Sequence, residues 1–444
     1  MEITNKTKWP YSLLKFLLVP LLVAFHGYAY SQVASPVDTS QTIVPNTKVQ
    51  EKGPANDFHK QYDIGDMIND VLHPKRKDDS LRKRSAITVV PNIAANPTIG
   101  FQFGIKAVAG KVLGNKPNTY MSVAATSASI TTKGIIYFYF THNVFTPGNK
   151  WNIQGSLVAS KSVTPDFGLG IGKASNGSID DKILANPDRK PYVWHSQYYK
   201  FFEKVYREVK HNFFLGGGVQ FDIRRKLTNA KYDSIQVPYK IYNERFGFAQ
   251  GHYFANGFLF NVEYITRDNP NRAYKGMYLD AGIRVNQTWI GSSRNATQLT
   301  VDFRKYFSLS ARNPEHVLAF WSWGSGVLTG AVPYFELPGT GRDPSFRSGR
   351  GYVSGYYKGT QFFYSETEYR FPITRNKLFS GVTFVNVQTA NDRVGTQLFE
   401  VWRPAAGAGL RILFNKTTRT NLCLDYAFGM HGSKGFFLNL NETF

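Results

Sequence analysis

The sequence holds one cysteine, Cys423, among 444 residues. That excludes a disulfide framework and any site built from several thiolates. Long hydrophobic runs are missing beyond one short stretch near the N-terminus, and the mean hydropathy is -0.31. A bundle of membrane helices is therefore excluded. A membrane barrel is not, because its strands show only alternating hydrophobicity. Acidic residues are few: 31 Asp and Glu stand against 53 Lys and Arg, a net charge of +22. Aromatics, in contrast, are plentiful, with 35 Phe, 26 Tyr and 7 Trp. So much apolar surface excludes a disordered chain. The length fits two or three ordinary domains or one large all-β domain.

The N-terminus bears on the compartment. Lys6, Lys8 and Lys15 precede an apolar stretch from Phe16 to Phe25, and Ala29-Tyr30-Ser31 supplies small residues at the cleavage positions. Residues 1–31 read as a secretory signal peptide. The mature chain from Gln32 keeps about +20. A basic balance has three common meanings: nucleic acid, an anionic membrane surface, or nothing specific. The signal peptide argues against nucleic acid, as do scattered basic residues without a basic helix or finger motif. An anionic lipid surface is the better match. The bland alternative is charge that keeps a lumen and loops solvated.

Residues 32–85 form a polar leader. Within it Ile64, Met67, Ile68, Val71 and Leu72 predict a short helix over 64–73, with Asp63 as its cap and Pro74 as its stop. It reads either as a plug or clasp at a barrel mouth or as a surface turn on its own domain. A charge run from Lys75 to Arg84 follows. From Ala86 to Phe444 the texture becomes short alternating segments between Asn, Gly, Pro and Asp clusters. Ile99, Phe101, Phe103 and Ile105 alternate with Gly100, Gln102, Gly104 and Lys106; Leu422, Leu424, Tyr426 and Phe428 alternate with Asn421, Cys423, Asp425 and Ala427.

Sixteen strands are expected, starting near 86, 98, 118, 132, 149, 190, 209, 250, 272, 296, 314, 358, 376, 397, 418 and 434. The long connections 161–189, 225–249 and 328–357 then share one rim. Compact turns such as Thr146-Pro147-Gly148, Asn269-Pro270-Asn271 and Thr374-Arg375-Asn376 share the other. That asymmetry, with an even strand count, predicts an all-β transmembrane antiparallel barrel over 86–444. At the C-terminus Phe436, Leu438, Leu440 and Phe444 are expected on one face, as a terminal aromatic assembly signal. Glu442 is expected on that same face, near the interface where a charge is cheap.

On these residues the chain resembles the barrel domain of the BamA/TamA superfamily, the bacterial surface antigen family. Thr88-Val89-Val90-Pro91 through Asn96-Pro97-Thr98-Ile99-Gly100 is similar to the family's opening strands. Gly349-Arg350-Gly351-Tyr352 resembles the R-G-[FY] motif of its sixth external loop, and Glu368-Tyr369-Arg370-Phe371-Pro372 the E-x-R-F-P end of the next strand. Gly407-Ala408-Gly409-Leu410-Arg411 and Leu424-Asp425-Tyr426-Ala427-Phe428-Gly429 resemble the stretches before the final strand. The resemblance implies a loop folded back into the barrel, with Arg350 pairing Glu366 or Glu368 on the wall. Arg370, Arg411 and Asp425 would face the same lumen. Asn386 stands where the family usually has an acid, which implies a weaker lock or one resting on the two glutamates alone. Residues 32–85 are too few and too polar for the client-docking POTRA domain most members carry, so the chain resembles a barrel-only member.

Enzyme signals are thin. Asp166-Phe167-Gly168 matches a kinase tripeptide without the rest of a kinase. Gly168-Leu169-Gly170-Ile171-Gly172-Lys173 lacks phosphate-loop spacing. No catalytic residue, cofactor or metal site is expected, and Cys423 reads as a small filler. The resemblance implies export to the bacterial outer membrane by a Sec-type route. It implies a role in inserting, assembling or translocating other proteins there, through a seam between Ala86–Ile93 or Thr98–Ala109 and Gly435–Phe444. Expected partners are outer-membrane lipid and lipopolysaccharide, client outer-membrane proteins, and subunits supplying periplasmic docking. A passive or gated pore and an accessory structural subunit remain open.

Overall fold

The computed structural model describes residues 61–67, 87–96, 99–114, 119–171, 178–229, 231, 234–391, 396–416 and 418–444. All of them fall in one unit, His59–Phe444. The expected signal peptide, most of the leader and the second half of the 64–73 helix lie outside the described residues.

Strands follow the alternation. They are β1 (Ile87–Pro91), β2 (Ala94–Asn96), β3 (Gly100–Val112), β4 (Met121–Thr131), β5 (Ile136–Phe145), β6 (Trp151–Asp166), β7 (Tyr192–Lys210), β8 (Phe213–Thr228) and β9 (Tyr253–Ile265). Then come β10 (Gly276–Asn286), β11 (Ala296–Ser308), β12 (Val317–Gly330), β13 (Gln361–Pro372), β14 (Phe379–Ala390), β15 (Arg403–Asn415), β16 (Thr420–Gly429) and β17 (Lys434–Leu440). From β3 to β17 each strand pairs antiparallel with the next. Among the described residues the ladder returns on itself through one register pair, Leu438 with Ala95 of β2, and β2 pairs with β3.

The expected first strand is two pieces. β1 and β2 both pair with β3, but Asn92 and Ile93 interrupt them. Asn92 sends its backbone N–H to Gly104 O at 2.8 Å and its side-chain amide to Ser127 Oγ at 2.6 Å. The register with β3 is the same on both sides of the interruption, so the two pieces form one line along β3.

The sheet is apolar outside and polar inside. Phe101, Phe103 and Ile105 on β3 and Tyr426 and Phe428 on β16 are exposed, while Cys423, Asp425 and Ala427 are buried. A soluble sandwich has the opposite polarity, so this is the wall expected between lipid and water. Among the described residues no helix is long and apolar enough to cross a membrane.

Connections are asymmetric. Those after β6, β8 and β12, at 167–191, 229–252 and 331–360, share one rim; the first two carry α1 (Ile179–Ala185) and α2 (Pro238–Phe246). Ser178 caps α1 through a reciprocal box with Asp181, and Pro238 begins α2. Tyr239 and Tyr242 of α2 pack with Tyr334 and Phe335 from the third connection and with Trp194 of β7. Much of 331–360 is buried, so that connection belongs to the interior.

Residues 64–67 are helical and sit at the short-turn rim. Asp63 and Asp66 cap each other reciprocally, at 3.0 and 2.9 Å. Tyr62 N–H bonds Asn376 O at 3.0 Å, in the turn after β13. Lys416, just after β15, donates its N–H to Asp63 Oδ2 at 3.0 Å and its ammonium to Asp66 Oδ2 at 2.8 Å. The segment clips two neighbouring turns together. Asp63→Ala removes a cap worth about 1 kcal/mol. Exchange of the Tyr62 and Lys416 amides should quicken roughly fivefold in that variant, read by hydrogen–deuterium exchange, with strand amides unchanged.

Candidate functional site: an internal loop pinned to the wall

The loop 331–360 runs through the lumen and turns sharply at Gly349-Arg350-Gly351. Gly349 has φ 82 and Gly351 φ 101. A Cβ at Gly349 would stand 2.3 Å from Thr340 Cγ2, and one at Gly351 2.8 Å from Ala405 Cβ. Both positions therefore need glycine for conformation and for space. This turn delivers Arg350 to the wall.

On β13, alternation puts Phe362, Tyr364, Glu366, Glu368 and Arg370 on the lumen side, and all are buried. Arg350 meets Glu366 through two bonds, Nε–Oε2 at 3.2 Å and Nη2–Oε1 at 2.5 Å. It also bonds Glu368 Oε1, and Asp425 Oδ2 at 2.8 Å. Its guanidinium lies over the Phe384 ring, 3.5 Å from the centroid. Burial works against the charge on Arg350, but Glu366, Glu368 and Asp425 outweigh it and hold the guanidinium well above its ordinary value. The bidentate geometry fixes orientation as well as charge.

Asn386 has a different part from the one the sequence suggested. Its amide nitrogen donates to Arg350 O at 3.0 Å and to Glu366 Oε2 at 3.3 Å. It holds the loop backbone and one glutamate, and the third carboxylate comes from Asp425 on β16. Tyr352 Oη donates to Pro404 O at 2.5 Å and accepts from Met430 N–H at 2.9 Å. Its ring packs against Tyr356 and Tyr357.

The network extends along the lumen. Arg370 bonds Glu368 Oε2 at 2.8 and 2.6 Å. Arg411 bonds Asp425 Oδ1, and Glu442 Oε2 at 2.7 Å. Asn421 Nδ2 donates to Glu442 Oε1 at 2.7 Å, and Arg272 Nε stands 3.8 Å from that oxygen. Arg272, Arg350, Arg370 and Arg411 thus face Glu366, Glu368, Asp425 and Glu442, four charges of each sign.

The C-terminal face differs from expectation. Phe436, Leu438 and Leu440 oppose Tyr426, Leu424 and Leu422 and share their outward face. Glu442 and Phe444 do not. β17 ends at Leu440, and Asn441 adopts φ 71, which turns the chain inward. Phe444 is buried, its ring centroid 5.4 Å from that of Trp321, and its carbonyl accepts from Arg370 Nη2 at 2.9 Å. Alternation holds only while the strand continues, so counting in twos past Asn441 put both residues on the wrong side.

Three features had no readable signal. Arg347 donates to the carbonyls of Leu440 (2.9 Å), Asn441 (3.2 Å) and Glu442, tying the loop to the end of β17. Lys358 pairs with Asp166 at 2.6 Å, across 192 residues, and Tyr334 Oη donates to the same oxygen at 2.8 Å. Burial lowers the Lys358 ammonium to about 8, with Asp166 opposing that fall. The Asp166-Phe167-Gly168 tripeptide is thus part of a loop anchor. Arg189 donates to Phe167 O and Tyr356 O at 2.9 and 3.0 Å, joining the first long connection to the third. Gly172 and Lys173 lie outside the described residues.

A model of the Omp85 superfamily domain matches residues 198–444, a span that includes the internal loop and both of its wall strands. No curated protein matches the sequence. Among solved structures, BamA from Haemophilus ducreyi lacking POTRA domains 1-3 aligns with TM-score 0.53 and 12% identity, covering 81% of this chain and 71% of that one. CdiB from Escherichia coli aligns with TM-score 0.50 and 11% identity, covering 81% of this chain and 63% of that one. At these identities the likeness is one of fold.

Removing one partner from a buried ion network costs about 3–5 kcal/mol. Arg350→Ala should therefore lower the urea unfolding midpoint of the detergent-solubilised barrel and open 331–360 to limited proteolysis. Asn386→Ala should have a smaller effect, about 1 kcal/mol for a lost neutral hydrogen bond to the loop. Equal effects of the two variants would contradict the pinning described.

Proposed function

The chain belongs to the Omp85 superfamily, and on that premise we propose that it is an outer-membrane barrel that assists insertion, assembly or translocation of other proteins. The observation that carries the reading is the seam. Among the described residues β16 and β17 share seven register pairs and β3 and β4 eleven, but β17 meets β2 at one. A sparsely paired strand edge is a template: its N–H and C=O groups pair with an incoming strand by β-augmentation. The likeness in fold to BamA and CdiB supports the same reading.

The apolar exterior would sit in outer-membrane lipid and lipopolysaccharide after Sec-type export. Client outer-membrane proteins would meet the seam, and partner subunits would supply periplasmic docking. The chain's part is physical rather than chemical: the pinned loop braces β13, β14 and β16, and the lightly joined edge is the part free to open.

Two experiments test this. Depleting the protein should lower a defined set of other barrels or surface proteins in the quantified outer-membrane proteome. An unchanged proteome overturns the assembly reading and leaves a pore or an accessory subunit. Joining the seam as a disulfide with Ala95→Cys and Leu438→Cys should reproduce the depletion profile, and reductant should reverse it. Full function with the seam locked would show that the seam does not open in use.

A further inference from the structure

The lumen is not uniformly filled. Between the walls of β5 to β12 and the loop segment Phe335–Phe346 lies a cavity of about 410 Å³. Pro344, Ser345 and Phe346 face it and are exposed, so the space is wet. Seven basic side chains line it, against three acidic ones.

Three of the basic groups are neutralised locally. Lys204 pairs with Asp280 at 3.2 Å, Arg304 with Asp302 at 2.7 Å, and Arg284 with Asp222, behind the lining, at 2.7 Å. Among the described residues the other four, Lys200, Arg224, Arg267 and Arg342, make no ion pair with a carboxylate within 4 Å, though Asp222 acts on Lys200 and Glu263 on Arg267 at longer range. Lys200 lies between the rings of Phe202 and Phe346, 5.6 and 5.7 Å from their centroids. Arg267 stacks on Tyr278 at 4.4 Å. Arg224 donates to Tyr253 Oη at 2.8 Å and to Ser196 Oγ at 3.0 Å, and Arg342 to Phe335 O. Glu336 faces Arg224 and Arg342, with its Oε1 accepting from Tyr253 at 2.6 Å. Glu263, beside Asp280 and Arg267, is held by the amides of Asn152 and Gln154. Counting Asp222 and Glu263 as well, seven cations still exceed five carboxylates.

Cations lining a confined cleft with low-dielectric walls focus their field on the water inside it. Aromatic neighbours orient Lys200 and Arg267 without neutralising them. The volume is large enough for many waters, or for one small polyanion and its remaining hydration. We infer that this cavity is a binding site for a small solute carrying two or more phosphate or carboxylate groups. Lys200 and Arg267 contact its charged oxygens, and Arg224 and Arg342 close the loop side. The inference goes beyond the assembly role and needs only the lumen, so it stands or falls apart from the seam.

The test is calorimetric titration of the full chain, folded in non-ionic detergent at low salt, with inorganic pyrophosphate, citrate and acetate as probes. Pyrophosphate and citrate should bind saturably at one site and acetate should not. Lys200→Gln with Arg267→Gln should weaken pyrophosphate binding by about tenfold or more, as expected when charge-assisted bonds are lost. Lys200→Arg should keep it within about threefold, because the charge remains. Lys161→Gln, on the exterior, should leave it unchanged. Absence of saturable binding by wild type, or equal affinity in the double variant, overturns the assignment. Should the double variant fail to fold, Lys200→Gln alone decides: a loss of about fivefold supports the site, and none overturns it.

Discussion

A guanidinium buried inside a protein has to find acceptors for its N–H groups, and the wall of this structure supplies Arg350 with three carboxylates. Arg350 sits where burial alone would make its charge costly by several kcal/mol. Glu366, Glu368 and Asp425 arrive from two strands that are not neighbours, β13 and β16, with Asn386 on β14 between them in the ladder. One side chain therefore spans four strands of wall. Because Glu368 and Asp425 also answer Arg370 and Arg411, the charges balance only as a group. The loop is held by a network whose members depend on one another, as is expected of buried polar clusters.

That network divides the interior in two. Along β11 to β17 the lumen is packed: Trp321, Tyr364, Tyr306 and Phe444 form a core with Tyr352 and Tyr357 of the loop. Beside the loop segment Phe335–Phe346, between the walls of β5 to β12, it is wet and basic. A wall that is apolar outside can accept either filling, since lumen positions are free of the constraint lipid imposes. The net positive charge seen in composition is thus partly an internal property of the lumen, in keeping with the bland alternative of a solvated interior and loops.

Much of this was legible because strands have a strict period. Alternation fixed the strands, their faces and the lumen set Phe362, Tyr364, Glu366, Glu368 and Arg370. Turn residues fixed which rim carries the long connections. The Gly349-Arg350-Gly351 turn marked a backbone that needs glycine twice. What was not legible lay where periodicity stops. Asn441 ends the two-residue count in a single left-handed step, and Glu442 and Phe444 change sides. The first strand is interrupted at Asn92 and Ile93 without losing its register on β3. The pairs Lys358–Asp166 and Arg347 with the β17 carbonyls join loop positions, and no local pattern encodes which distant loop a loop residue will meet. Asp425 was placed on the correct face, but its bond to Arg350 depends on how deep the loop descends.

Arg347 and Arg350 lie three residues apart on one short piece of chain, and their attachments differ in kind. Arg350 holds carboxylates on the wall; Arg347 holds backbone carbonyls where the last strand runs out. Three residues of extended chain reach about 10 Å. A withdrawal of the loop by more than that reach therefore cannot leave the other arginine seated. The piece is like one bolt with two pins: a displacement of that size takes the interior plug and the hold on the terminal strand together.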